Sequence, residues 1–197
     1  SGDFTFSRGS NLAATRVGAD GLIEKGRENL IKHSNTFNVS SWGNFNGASG
    51  QLGYDGSNDA WRYDSSSSVL RLQQLQGYQY DFIRTYSIYA KYVDTQWISL
   101  QIAGATNETA WFDVQNGVLG NLLNGFDSSI TSVGNGWYRC TISGATANQD
   151  RVRLYVIGNN GSGTTIDGSV LIQDAQLEIG LAATDYIETG ATTAQAG

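Results

Sequence analysis

Proline and methionine are absent from this chain, cysteine and histidine occur once each, and only 15% of the residues are charged. A lone cysteine, Cys140, excludes an intramolecular disulfide. One cysteine and one histidine, His33, supply no cluster for zinc or iron. They also make a poor nucleophile–base pair, since Cys140 falls in the strand-like WYRCTIS and His33 in a polar, loop-like stretch. The net charge of −6 and the lack of any Lys/Arg cluster argue against a nucleic-acid partner, whose phosphates demand clustered cations. No segment reaches the roughly 18–20 uninterrupted apolar residues of a membrane span, so no membrane insertion is expected. The opening SGDFTFSRGS has neither the basic nor the apolar region of a signal peptide. Without a methionine, Ser1-Gly2 reads as a tag remnant, or the chain as a piece of a longer one. Turns in β proteins commonly use proline, and its absence has no physical account here.

What is present suits strands. Hydrophobic residues make up 40% of the 197, and Ser, Thr, Asn, Gln and 25 glycines supply most of the rest. Such a composition favours many short strands joined by tight turns over helices rich in Ala, Glu, Lys and Leu. The clearest strand is FIRTYSIYAKYV (82–93), followed by WISLQIAG, AWRYDSS, GWYRCTISG, VRLYVIG and SVLIQDAQLEI. TAWFDV, the turn QNG and VLGNLL read as a hairpin. About ten strands at this spacing, with no 3.6-residue period, predict an all-β fold: a two-sheet antiparallel β-sandwich or jelly roll. Residues 1–28 stand apart as a β-ribbon leader, with strands on either side of GADG, expected to dock on the main domain, a neighbouring subunit or a preceding module. The sandwich is expected over 29–190, with a flexible tail over 191–197.

Alternation separates the faces of each strand. Tyr86, Ile88 and Ala90; Ile98, Leu100 and Ile102; Val152, Leu154 and Val156; and Tyr138, Cys140 and Ile142 are assigned inward. If these strands share a sheet, its outer face collects Tyr89, Lys91, Trp97, Gln101, Arg139, Arg153 and Tyr155. Aromatic rings among planar polar groups suit the C–H faces and hydroxyls of a sugar. The same residue types anchor protein interfaces, and loops or the N-terminal ribbon would equally cover such a face.

Catalysis finds little support. Asp55, Asp59, Asp64, Asp81, Asp94, Asp113, Asp127 and Asp174 mostly sit beside Gly, Asn or Ser, as turn-forming aspartates do. Glu108 and Glu178 have no companion acid by spacing, so no catalytic residue is assigned and the chain is read as no enzyme. No cofactor is expected. The one metal reading is calcium at Asp55 and Asp59 in DGSND, where the late glutamate of a dedicated calcium loop is missing and turn bonds explain the pattern. NNGSGTTIDG (159–168) lacks the Lys and strand-to-helix context of a phosphate loop and reads as a flexible turn.

Seven ordered blocks run along the chain: FTFSRGSNLAATRVGADGLIE (4–24), ENLIKHSNTFNVSSW (28–42), YDGSNDAWRYDSS (54–66), YSIYAKYVDTQWISLQI (86–102), AWFDVQNGVLG (110–120), VGNGWYRCTIS (133–143) and IQDAQLEIGLAATDYIETG (172–190). Their order resembles phage tail, tail-fibre and other virion proteins that carry a carbohydrate-binding-module-like jelly roll. The WYRC and QLE-G-x-x-x-T-x-Y-I blocks are the most specific. The resemblance implies a virion surface location and a host-surface polysaccharide or other virion proteins as partners. It also implies a homo-oligomer, with trimers common among such appendages. Trp42, Trp61, Trp111, Trp137 and Tyr186 then read as fold anchors. A purely structural role (capsid decoration, head fibre or connector) and an accessory glycan-binding domain of a polysaccharide-degrading enzyme are the alternatives.

Overall fold

The computed structural model describes residues 15–17, 23–25, 27–76, 82–145 and 151–195. It contains no helix among them; every element is a strand. In chain order these are β1 (Thr15–Val17), β2 (Ile23–Lys25), β3 (Glu28–Asn29), β4 (Trp42–Gly43), β5 (Gly47–Gln51), β6 (Ala60–Ser65), β7 (Leu72–Leu75) and β8 (Arg84–Tyr92). They continue with β9 (Trp97–Ala103), β10 (Asn107–Asp113), β11 (Val118–Leu123), β12 (Asp127–Gly134), β13 (Trp137–Gly144), β14 (Arg151–Ile157), β15 (Gly168–Ile179) and β16 (Ala194–Gln195).

Two antiparallel six-stranded sheets make a β-sandwich. Sheet I runs β11-β10-β9-β14-β7-β4 and sheet II runs β12-β13-β8-β15-β6-β5. The chain changes sheet repeatedly, as jelly-roll wiring requires. Between the sheets lies one core in which Tyr86, Ile88, Ile98, Leu100, Ile102, Cys140, Ile142, Val152, Leu154 and Val156 are fully buried. The inward assignments therefore hold, with Tyr138 partly buried against the same core. Phe37, Trp42, Phe45 and Trp61 close one side with edge-on and tilted ring contacts. Trp42 and Trp61 donate their indole N–H groups to the carbonyls of His33 and Asn35, which satisfies their polar edges inside the core.

The C-terminal segment joins this body, while the N-terminal ribbon forms a two-stranded sheet of its own. In the ribbon expected around GADG, Thr15–Val17 pair with Ile23–Lys25; residues 1–14 and 18–22, the turn included, lie outside the described residues. Beyond residue 190, where a flexible tail is expected, Ala194–Gln195 pair with Glu28–Asn29. Three short or polar strands escape a pattern reading: β5, β7 (LQQL) and β12 (DSSITSVG), whose Ser, Thr and Gly content resembles a loop.

Candidate functional site: a cleft on the outer face of sheet I

The strands carrying the seven outward residues do not share one sheet. Trp97, Gln101, Arg153 and Tyr155 lie on β9 and β14 of sheet I, whereas Tyr89, Lys91 and Arg139 lie on β8 and β13 of sheet II. The single composite face is thus corrected to two opposite faces. Alternation reveals which residues point away from the core but carries nothing about which strands are neighbours.

On sheet I the register lines up Thr109, Gln101, Arg153 and Gln73 as one row across the strands. The next row is Trp111, Ser99 and Tyr155. Ser99, the smallest side chain, sits between two aromatic rings, and the result is a cleft of about 250 Å³. Ser99, Gln101, Thr109, Trp111 and Tyr155 line it from the sheet, Asn107 and Leu123 close one end, and Ser162 and Gly163 form a wall. That wall belongs to the loop read as a mere flexible turn. It is held by the Trp111 indole donating to the Ser162 carbonyl at 2.9 Å and by Asn160 Oδ1 accepting the Asn121 N–H.

The polar groups of the cleft are prearranged. Gln101 Oε1 accepts Arg153 Nη1 at 2.7 Å and the Tyr155 hydroxyl at 3.3 Å, and Gln101 Nε2 donates to Thr109 Oγ1 at 3.0 Å. Such a chain fixes the amide without consuming all its valences, leaving hydroxyl and amide groups for a polyhydroxy ligand. Trp97 is half-buried, its ring edge against Gly120, where a Cβ would lie 2.8 Å from the indole, and it does not line the cleft. Trp111, assigned to the fold, is 6% exposed but shapes the cleft as well.

Sheet II is half covered on its outside. Tyr89 is 8% exposed beneath the ring of Tyr54, and Trp137, read as a fold anchor, is buried in the same outer cluster. Lys91 is half-buried beside Gly136. Arg139 remains accessible at a second cleft between β12, β13 and the segment 181–183.

The acids largely behave as turn formers. Asp113 accepts the side-chain amides of Asn116 and Gln96 and the backbone N–H groups of Asn116 and Gln115, and Asp55 accepts the Ser57 hydroxyl and backbone N–H. These bonds, side-chain ones foremost, hold both carboxyls below the usual range. Asp81 lies outside the described residues. Asp55 and Asp59 do come together, both accepting from Ser57 Oγ, and Gln173 Nε2 donates to Asp59 at 2.6 Å. Both carboxylates are thus engaged by hydrogen-bond donors, and no group of three His, Cys, Asp or Glu able to hold a metal occurs among the described residues.

One acid has companions that spacing did not reveal. A β-bulge in β15, between Gln173 and Gln176, places Asp174 at φ 54° and turns its carboxyl to the Tyr54 hydroxyl, 2.9 Å away. Burial pushes Asp174 up to about 7, against the Tyr54 bond and with help from Asp59 and Asp55. It is 5% exposed, and neither cleft opens on it, so it reads as a buried junction. Cys140 is fully buried in the core, and burial pushes its thiol up, away from nucleophilic use. Tyr186, bonded to Ser34 at 2.6 Å, anchors the C-terminal segment as the fold-anchor reading expects.

No protein-family model matches the chain, and no curated protein matches it in sequence.

Proposed function

We propose that this chain is a non-enzymatic recognition module of a phage virion surface or tail appendage, binding a host-surface glycan in the sheet I cleft. The observation that carries the reading is the Trp111–Ser99–Tyr155 row beside the Gln101–Arg153–Thr109 hydrogen-bond chain. Ring walls with an amide fixed by the neighbouring Arg153 guanidinium match the amphipathic faces of a sugar. The virion context is supported by the ordered blocks of the sequence alone. A glycan array with the intact protein, followed by titration of any hit against Tyr155→Ala and Gln101→Ala, tests it. Both substitutions are expected to weaken binding at least about tenfold, the size of one lost anchoring contact. Silence across bacterial polysaccharides, or hits that ignore both substitutions, would reject the site.

A second reading, a structural virion component, is favoured by a different observation. β11 and β12 are edge strands of the two sheets, and Val118, Leu119, Leu122, Leu123 and Phe126 are exposed along them. Apolar side chains on unpaired edges suit packing against another subunit.

A further inference from the structure

The outer face of sheet II carries a second cleft whose chemistry differs from the first. Its volume is about 470 Å³, and its floor is a ladder of hydroxyls. Ser129 and Thr141 bond each other at 2.6 Å, and Thr85 and Ser143 at 2.7 Å, on adjacent strands of the sheet. At one end stands Arg139, opposite Thr131 in register; at the other stands Asp127, opposite Ser143. Four residues of strand separate the two positions, about 13 Å at 3.3 Å per residue.

Arg139 is held from one side only. Nη2 donates to Ser87 Oγ at 3.2 Å and to the Thr184 carbonyl at 2.6 Å, and the guanidinium carbon lies 5.3 Å from the Tyr89 ring centre. It forms no ion pair with a carboxylate of the described residues; the ion pairs there join Arg62 to Asp64 and to Asp94. Nε is buried without a hydrogen-bond partner. The neighbouring carboxylate on this face, Glu178, is turned to the backbone N–H of Thr184 and to Gln176 and makes no ion pair with Arg139. A fixed guanidinium without a paired carboxylate among the described residues, in a hydroxyl-lined cleft, is a site for an anion that carries hydroxyls of its own. Asp127 at the far end sets a polarity: it repels a second negative charge and accepts hydroxyls. The net charge of −6 likewise disfavours a polyanion.

We propose that this cleft binds a saccharide bearing a single carboxylate, a uronic acid on otherwise neutral sugars, with the carboxylate on Arg139 and the neutral residues toward Asp127. The site is separate from the sheet I cleft and stands or falls without it.

Titration calorimetry of the intact protein tests the proposal with aldotriouronic acid, one uronate on two neutral xyloses, and with its carboxyl-reduced form. The acidic sugar is expected to bind at least about tenfold more tightly than the reduced one, as a charge-assisted contact predicts. Arg139→Gln is expected to erase that preference, and Thr131→Tyr, which fills the cleft from an exposed edge position, to abolish binding. Should Arg139→Gln fail to fold, Thr131→Tyr alone decides. Equal affinity for the two sugars, acetate binding as tightly as the trisaccharide, or no binding at millimolar sugar overturns the proposal. So does binding that survives Thr131→Tyr and disappears in Tyr155→Ala, which would transfer the ligand to sheet I.

Discussion

The phenol ring of Tyr54 lies flat on that of Tyr89, with ring centres 3.8 Å apart and planes 10° from parallel. Tyr54 comes from the loop between β5 and β6, so this stack fastens a loop to the outside of sheet II. It also covers Trp137, which is 1% exposed with its ring centre 6.4 Å from Tyr54. Tyr54→Ala should lower stability by about 2–3 kcal/mol, less than the 3–5 kcal/mol of a fully buried aromatic because Tyr54 is only half-buried. Tyr54→Phe keeps the stack, loses the bond to Asp174, and should cost about 1 kcal/mol. Chemical denaturation with tryptophan fluorescence separates the two. Equal losses for Ala and Phe would mean that the hydroxyl, and not the ring, holds the loop.

Asp174 makes stability depend on pH in an unusual direction. Its carboxyl titrates near 7 in the folded chain and at the ordinary 3.8 when unfolded. Between those values the folded state binds more protons, so the contribution is fully present below about pH 4 and is lost as pH rises through 7. The limiting slope is about 1.4 kcal/mol per pH unit. Asp55, Asp64 and Asp113 are lowered and act oppositely, losing their contribution as pH falls below the ordinary carboxylate range. The melting temperature should therefore peak in mildly acidic buffer. Asp174→Asn, which still accepts from the Tyr54 hydroxyl, should flatten the decline between pH 5 and 7 (roughly the window set by the two values). An unchanged slope in that variant would assign the pH dependence to other groups.

How much of this was legible in the sequence differs by level. Period-two alternation found the inward faces of β8, β9, β13 and β14 because a hydrophobic core imposes that pattern on each strand separately. It could not pair Arg139 with Tyr89 or Gln101 with Arg153, since register across a sheet is a relation between distant segments. β12 stayed hidden because an edge strand facing solvent on much of its length has no alternation to show. Asp174 stayed hidden because a bulge shifts the phase of its strand, and its companions Asp55 and Asp59 come from a loop over 100 positions earlier.

Gly144 and Glu108 meet where the ends of β13 and β10 approach. A Cβ on Gly144 would fall 1.8 Å from Glu108 Oε2. Glu108 is 2% exposed, its Oε1 accepts the Ala145 N–H at 2.9 Å, and burial pushes its carboxyl up. Gly144→Ala must displace that side chain and should cost about 1–3 kcal/mol. Combined with Glu108→Ala, the clash disappears, so the double variant should be more stable than the sum of the single losses predicts, by about 0.5 kcal/mol or more. Strict additivity in urea denaturation would place the cost of Gly144→Ala in the backbone instead.

The edges formed by β11 and β12 offer the sharpest test of contact with other subunits. From Val118 to Gly134 the only charged residue is Asp127, and neither lysine nor proline interrupts the pair. Exposed edges in solitary domains are usually protected by such residues. Leu123 and Phe126 are 51% and 59% exposed, so Leu123→Lys and Phe126→Lys remove little buried area and should change stability by no more than about 0.5 kcal/mol. If these strands pack against a second copy, the unsubstituted protein should associate in light scattering and the double lysine variant should be monomeric. The decisive comparison is between mass and melting curve: loss of mass with an unchanged melting curve supports an interface between subunits. A monomer at every concentration before substitution rejects self-association through this edge and leaves another virion protein as its partner under the structural reading.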